Sequence, residues 1–528
     1  MKLKPNTKII SAFLMLFILT LSIIYYIVSF NHKTPIKTPL KKHYITTNRT
    51  FVPLPERIVH LDLKGAPPKI PYYSQLFPLL KTLGATGVLI EYEDMFPYKG
   101  QIPQNISALN SYTLDNIKTI NTLALKHKLK IIPFIQTLGH LDFILKLKNY
   151  KEYREDWNIP SDICPSFNKT YKLLEEIITQ IIEAHPNSDT IHIGCDEVPH
   201  LGHCQRCLNR QLTKNQLFVH HIQSVVNIIK RIKPSLKILA WDDHFRSLSK
   251  NEFELNSIIK PVVWWYGKDV YDELGPSLWN VYSNVFEGVW VASAFKGTSG
   301  SNKYISEVNH YLQNHKSWLT VIEEYRQRLR FEGIILTGWQ RYDHFAVLCE
   351  LLPVGIPALA MSLRLLQGFK DSALGPPLEV AKLLQCEQPY GLIGTAFGSP
   401  KCKFPGADIL EQVIFFHQLK QEFEEINEDS RVKGWLSQYN RKYQFSSPQQ
   451  VKAVLMPLDK IKADLEFVKG KLQSAMLEVY DYYTVDEWFE TYLVDFEEDV
   501  LSMWKAKQML LERNDWPQKP INKYIINK

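Results

Sequence analysis

Ile191-His-Ile-Gly-Cys-Asp196-Glu197-Val198 runs a short, β-branched strand straight into two adjacent carboxylates. Side chains on a strand alternate between faces, so two neighbouring acids within one would point apart. Where the strand gives way to a loop, that alternation relaxes, and Asp196 and Glu197 can face one cavity. Two acids so placed can divide a reaction. One with a raised pKa donates a proton, while the other stays ionised and steadies a positive centre. The bland alternative is a solvated loop pair, and the rest of the chain decides between the two.

Working outward, seven further segments share the build of residues 190–195: 57–63, 85–92, 130–136, 237–240, 261–265, 289–294 and 333–337. Between them, stretches such as 114–128, 171–185 and 217–233 carry apolar residues at three- and four-residue spacing, the mark of amphipathic helices. Eight βα units within residues 53–370 predict an α/β chain built on a (β/α)8 TIM barrel rather than an open doubly wound sheet. No glycine-rich phosphate fingerprint follows the first strand, which argues against dinucleotide binding. Residues 371–528 read as a mostly helical C-terminal region, entered through Gly375-Pro-Pro377 and Gly398-Ser-Pro400. Its acidic-aromatic run, residues 480–498, either lines a groove or caps the barrel, and the cap is the simpler reading.

The net charge of +7 suggests an acidic partner until it is located. Residues 1–42 hold seven Lys, no Arg and no acid; subtracting seven from the 62 basic residues leaves 55, against 55 acidic. The folded part is neutral, and nothing suggests nucleic-acid binding. Residues 9–30 are uncharged and long enough to cross a hydrocarbon core of about 30 Å. With no small-residue cleavage site after them, they read as a single transmembrane signal anchor. The expectation is a type II membrane protein of the secretory pathway: a cytosolic tail 1–8, a stem 31–52, and the barrel lumenal or extracellular. The sequons at Asn48, Asn105 and Asn168 agree with that placement. Seven cysteines form no dense disulfide scaffold, and an odd count leaves one thiol unpaired or bridging chains.

Active sites of such barrels lie at the C-terminal ends of the strands. The ends here are His60-Leu-Asp62-Leu-Lys64, Glu91-Tyr-Glu93-Asp94, Gln136-Thr-Leu-Gly-His140, Asp196-Glu197, Trp241-Asp242-Asp243, Trp264-Trp265-Tyr266, Ser293-Ala-Phe295-Lys296 and Trp339-Gln-Arg341-Tyr342-Asp343. Acids, aromatics and histidines gather at the one end where chemistry is expected. These stretches, in this order and at this spacing, resemble the glycoside hydrolase family 20 β-N-acetylhexosaminidases, and most of all the hexosaminidase D group. The resemblance spans essentially the whole barrel.

The resemblance implies an exo-acting, retaining hydrolase of terminal N-acetylglucosamine or N-acetylgalactosamine, with no metal and no cofactor. In this family the substrate's 2-acetamido oxygen is the nucleophile, an exception to the usual pair of catalytic carboxylates. Asp196 then orients the acetamido group and stabilises the oxazolinium-type intermediate. Glu197 protonates the leaving oxygen, which calls for a raised pKa. By family position Trp241, Trp339 and one of Trp264 or Trp265 line the acetamido pocket. Trp264 and Tyr266 share a strand face and are the preferred pair, with Tyr266 a possible hydroxyl donor. His140 is placed near the acids or a sugar hydroxyl. Lys64 stands where many members carry Arg, and it offers a point charge instead of a planar fork. The hexosaminidase D group shares this Lys. Gln340-Arg341 occupy the position of an acid that holds the outer hydroxyls, leaving Glu93 and Asp343 as candidate replacements.

His200-Leu-Gly-His203-Cys204-Gln-Arg-Cys207 competes for attention. Two His and a Cys-x-x-Cys can ligate zinc, but the set is compact and lacks a second, separated ligand pair. A Cys204–Cys207 disulfide, or two plain thiols, is the preferred reading. Two rival functions stay open: a catalytically silent glycan-binding barrel, and a metal-dependent hydrolase using His140, Asp196, His200 and His203.

Overall fold

All eight strands form, and they close into one parallel ring. They are β1 (Glu56–Asp62), β2 (Gly87–Glu91), β3 (Lys130–Phe134), β4 (Thr190–His192), β5 (Lys237–Trp241), β6 (Ile259–Trp264), β7 (Gly288–Lys296) and β8 (Arg330–Gly338). In this computed structural model the described residues are 53–100, 105–249, 252, 258–368, 378–387 and 401–521. The tail, anchor and stem expected over residues 1–52 lie outside them, as does the sequon at Asn48. Among the described residues no helix is long and apolar enough to cross a membrane.

Closure is sealed by β1, which pairs with β2 on one side and with β8 on the other. A parallel strand buried on both faces needs apolar residues on both, and that is the pattern of Val88, Leu89 and Ile90 in β2. Inside the ring, Ile58, Leu89, Ile132, Phe134, Leu239, Val262 and Ile335 form a closed core topped by Trp241. Outside it the helices, beginning with α1 (Ile70–Leu83) and α2 (Leu114–Lys126), lay down a second, larger core. Helix α3 (Thr170–Ala184) buries Leu173, Leu174, Ile177, Ile178, Ile181 and Ile182 along one stripe, each worth about 1.5–3 kcal/mol. Helix α4 (Lys214–Ile232) starts three residues earlier than the apolar period suggests. Thr213 accepts from the Gln216 backbone and Gln216 returns the bond, a capping box worth about 1 kcal/mol.

A small antiparallel hairpin, Arg154–Asp156 with Ile159–Ile163, is inserted between β3 and α3. It was not expected, because three to five partly polar residues carry too little periodicity to be read. The C-terminal helices include α5 (Ala407–Glu428), α6 (Leu458–Val479), α7 (Tyr482–Tyr492) and α8 (Val494–Glu512). Helix α7 sits across the ends of β1 and β8: Thr484 Oγ1 donates to the Gly65 carbonyl at 3.1 Å, and Arg341 meets Glu487 at 2.8 Å. Its own Trp488 is fully buried. The acidic-aromatic run therefore caps the barrel. Cys386 and Cys402 form a disulfide; of the two readings open for Cys204 and Cys207, a bond or two thiols, the structure has two thiols.

Candidate active site

The two acids share a cavity because the backbone abandons the strand just before them. β4 ends at His192, and Gly194, Cys195 and Glu197 all take left-handed φ angles, 68°, 71° and 44°. Such angles cost a non-glycine residue of order 1–3 kcal/mol and persist only where the surroundings enforce them. Here the Trp241 backbone donates to the Gly194 carbonyl at 3.0 Å, and the Glu197 backbone donates to Asp243 Oδ2 at 2.8 Å. Gly139 lets the β3 loop close in, since a Cβ there would stand 2.3 Å from the Asp196 carbonyl oxygen. The turn sends Asp196 inward to 7% exposure, while the Glu197 side chain keeps 57%.

His140, itself at φ 52°, stands between them. Its Nε2 lies 3.2 Å from Glu197 Oε2 and 3.6 Å from Asp196 Oδ2. Burial alone would depress the imidazole, but the Asp196 charge and the Glu197 hydrogen bond outweigh it and raise His140 to about 10. Burial pushes Asp196 above the ordinary carboxylate range, against the pull of His140. Glu197 moves the other way, held low by the His140 hydrogen bond. That corrects the expectation of a raised Glu197 in the free enzyme: the acid faces water and an imidazolium, not an apolar wall. Asp243 is the acid the sequence reading left out. Burial and the Asp196 charge push it up to about 7. Gln136 was also passed over, and its Nε2 donates to Asp196 Oδ1 at 3.2 Å.

Aromatic rings wall the cleft opposite the acids. Trp264 and Tyr266 stack at 5.2 Å, and Tyr266 meets Trp339 edge-on at 6.5 Å. Trp264 Nε1 donates to Asp243 Oδ1 at 3.2 Å, tying this wall to the acids. Trp241 lies one layer down, 1% exposed, 6.0 Å from Trp339 and 4.4 Å from His192. Trp265 does not line the cleft: its ring packs against the outer core instead, and its carbonyl accepts from Asn314 and Trp318. The cleft, about 270 Å³, is lined by Asp196, Glu197, His140, Trp264, Tyr266 and Trp339, with Lys64, Gln136, Arg341 and Tyr342 around them. Beyond Glu197 a second, more open depression is bounded by His140, Ser161, Pro199, Asn215, Asp243 and His244. Glu197 belongs to both.

Lys64 anchors the far wall. Its Nζ lies 3.1 Å from Asp62, 3.5 Å from Glu91 and 3.5 Å from Glu93. Glu93 also pairs with His344, and Lys64 and His344 overcome its burial to hold it at about 2. Glu91, desolvated and sharing Lys64 with two other acids, is raised well above the usual range.

Comparison with known proteins decides the family. Residues 70–275 match the description "Glycosyl hydrolase family 20, catalytic domain". A human protein named Hexosaminidase D is 36% identical over 450 residues, 83% of this chain and 91% of its own length. Its bovine namesake is 42% identical over 320 residues, 59% of this chain and 91% of its own. The chain belongs to glycoside hydrolase family 20. It is therefore a glycoside hydrolase. The X-ray structure of a Flavobacterium johnsoniae chitobiase shares the fold, with a TM-score of 0.50 at 14% identity over 87% of this chain and 78% of its own.

Within this family 20 barrel, the expected residues fall into three groups. Asp196, Glu197, His140, Lys64, Trp264, Tyr266 and Trp339 line one cleft. Trp241 supports it from beneath. Glu93 and Asp343 are not among the lining residues: Glu93 is locked between Lys64 and His344, and Asp343 Oδ1 accepts from the backbones of Phe345 and Ala346, both at 2.8 Å. Arg341, read from sequence only as a departure, does line the cleft. The set His140, Asp196, His200 and His203 is not brought together around an ion; His200 turns to Asp162 instead, 3.6 Å away. Among the described residues, the His, Cys, Asp and Glu ligand atoms that converge are those of Glu155, Cys164, Cys204 and Cys207.

Proposed function

We propose that the chain is an exo-acting, retaining β-N-acetylhexosaminidase that releases terminal N-acetylglucosamine or N-acetylgalactosamine from glycoconjugates by substrate-assisted catalysis. One observation carries this reading: Glu197 stands on the boundary between a narrower, aromatic-walled cleft and a more open depression. A sugar ring in the narrower side and its aglycone in the open side put the glycosidic oxygen beside Glu197. The narrower side takes the terminal ring, and the open side tolerates varied aglycones. The name of the human and bovine relatives agrees.

Asp196 lies inside the cleft, fixed by Gln136 and His140. Ionised there, it accepts a hydrogen bond from the acetamido N–H, turns the acetamido oxygen toward the anomeric carbon and stabilises the positive charge that develops. Trp264, Tyr266 and Trp339 offer the apolar surface that the acetamido methyl and the sugar C–H face require. Glu197 gives its proton to the leaving oxygen and then takes one from water. In the free enzyme its pKa is low, so the sugar itself completes the acid by covering Glu197 and removing its water. Glu197→Gln should lower turnover of an unactivated disaccharide by roughly 10²–10⁴-fold with thermal stability unchanged. Proton NMR of the first-formed product should show the β-anomer. A first-formed α-anomer, or undiminished turnover in the variant, would sink the mechanism.

On the same reading, residues 9–30 hold the enzyme in a secretory-pathway membrane. The length and lack of charge of that run support it, as do exposed sequon residues Asn105 and Asn168. Release of the full chain by alkaline carbonate would refute it.

A further inference from the structure

The Cys-x-x-Cys beyond the catalytic pair lacks a distant ligand pair in sequence, and the fold supplies one. The inserted hairpin carries Glu155 in its first strand and Cys164 just after its second, and both come to rest against Cys204 and Cys207. Cys164 Sγ lies 3.2 Å from Cys204 Sγ and 3.8 Å from Cys207 Sγ. A disulfide needs about 2.05 Å. Four ligands at about 2.3 Å from a tetrahedral zinc stand roughly 3.8 Å apart. The ligand atoms of all four residues lie within 4.8 Å of one another.

Glu155 gives an independent reason. Its side chain is buried, at 2% exposure. Oε1 is satisfied by the backbone N–H groups of Gly202 and Cys204, at 2.7 and 3.1 Å. Oε2 faces sulfur, 3.3 Å from Cys207 Sγ. Among the described residues no Lys or Arg pairs with this carboxylate. A buried carboxylate without a counter-charge is costly, and a cation held between Oε2 and the three sulfurs would neutralise it. Outer contacts of the kind that steady metal thiolates are also present. The Cys207 backbone N–H points at Cys204 Sγ at 3.4 Å, and Ser166 Oγ, itself approached by Arg210, lies 3.0 Å from Cys207 Sγ.

We infer that Cys164, Cys204, Cys207 and Glu155 form a structural zinc site. With three thiolates and a carboxylate in a closed tetrahedral set, it favours zinc over hard cations, which take oxygen ligands. It leaves no position for substrate and takes no part in the hydrolysis. Its role is to staple the hairpin to the loop that begins at Glu197. That staple bears on the open depression, because Ser161 of the hairpin and Pro199 of the loop both border it.

The test is metal analysis of the full chain purified under reducing conditions without added chelator. About one zinc per chain should survive gel filtration. Cobalt exchanged into the site should show sulfur-to-cobalt charge-transfer bands and the intense visible bands of a tetrahedral centre. Cys207→Ser should lose the metal while Cys349→Ser, outside the cluster, keeps it, and stripping the metal should lower the thermal midpoint by several degrees. A metal-free chain in which Cys164, Cys204 and Cys207 all react freely with a thiol reagent would overturn the proposal, as would a Cys164–Cys204 disulfide found by peptide mapping of chain purified without reductant. If Cys207→Ser does not fold, the metal content and cobalt spectrum of the unaltered chain still decide.

Discussion

Two sets of three acids stand at strand ends around one cleft, and they behave as opposites. Asp62, Glu91 and Glu93, at β1 and β2, are at most 5% exposed and share Lys64, with His60 and His344 filling the remaining space. Asp196, Glu197 and Asp243, at β4 and β5, have a single partly exposed imidazole between them, and the Glu197 side chain is over half open. Residue type does not separate the sets. Counter-charge and access do. The first set is a wall because each charge is already answered from within the protein. In the second, Asp196 and Glu197 share one cation, which on the proposed mechanism leaves a substrate's proton and positive charge somewhere to go.

Removing the cation from the wall should break the comparison most severely. Lys64→Met removes the cation that Asp62, Glu91 and Glu93 share, and losing one partner of a buried ion pair costs about 3–5 kcal/mol. The pH dependence gives the signature. Without Lys64, Glu93 loses the first of the two charges that hold it low, and Glu91, already raised by burial, is raised further. The native state is then spared at low pH, where the acids hold protons, and penalised as pH climbs through the unfolded range. Urea denaturation at about pH 5 and about pH 7.5 should therefore show the deficit growing with pH. A deficit that is constant or shrinks with pH would mean that Lys64 does not neutralise this wall.

On the reactive side, His140→Asn should move both limbs of the pH–rate profile. His140 pulls Glu197 and Asp196 down, so its loss lets both rise. The proposed mechanism needs Asp196 ionised and Glu197 protonated, so on that mechanism both the acid and the basic limb of kcat/KM shift upward in pH. The optimum value should fall roughly tenfold, the size of a lost hydrogen bond to a charged group at about 1.5 kcal/mol. A uniform loss with unmoved limbs would assign His140 a packing role only.

The barrel was legible because eight β-branched strands and their amphipathic partners repeat a period that no other common architecture uses. That Asp196 and Glu197 share the rim cleft was legible because their place after the fourth strand implies the C-terminal end of the barrel. What resisted reading was which of two like neighbours faces inward. In Trp241-Asp242-Asp243 both acids are equal on paper. Only packing shows that Asp242 is consumed by Arg246, at 2.6 and 2.8 Å, and by Tyr282, which leaves Asp243 to meet the Glu197 backbone. The low pKa of Glu197 was unreadable for a similar reason, since His140 reaches it only through a left-handed turn on another strand. Cys164 and Glu155 sit some forty to fifty residues before the cysteines they join, on a hairpin too short to announce itself.

Asp343 sharpens the comparison at its smallest scale. It was expected to bind the sugar's outer hydroxyls, yet its carboxylate accepts from two backbone N–H groups of its own turn, as an acid of the wall would. If that is its whole function, Asp343→Ala should cost about 1 kcal/mol of stability, the worth of such a side-chain-to-backbone bond, and leave kcat/KM unchanged for gluco- and galacto-configured substrates alike. Discrimination between the two sugars would then rest with Arg341, Tyr342 and Lys64, which do face the cleft. A fall in kcat/KM for only one configuration, with stability intact, would move Asp343 from the wall into the reactive set.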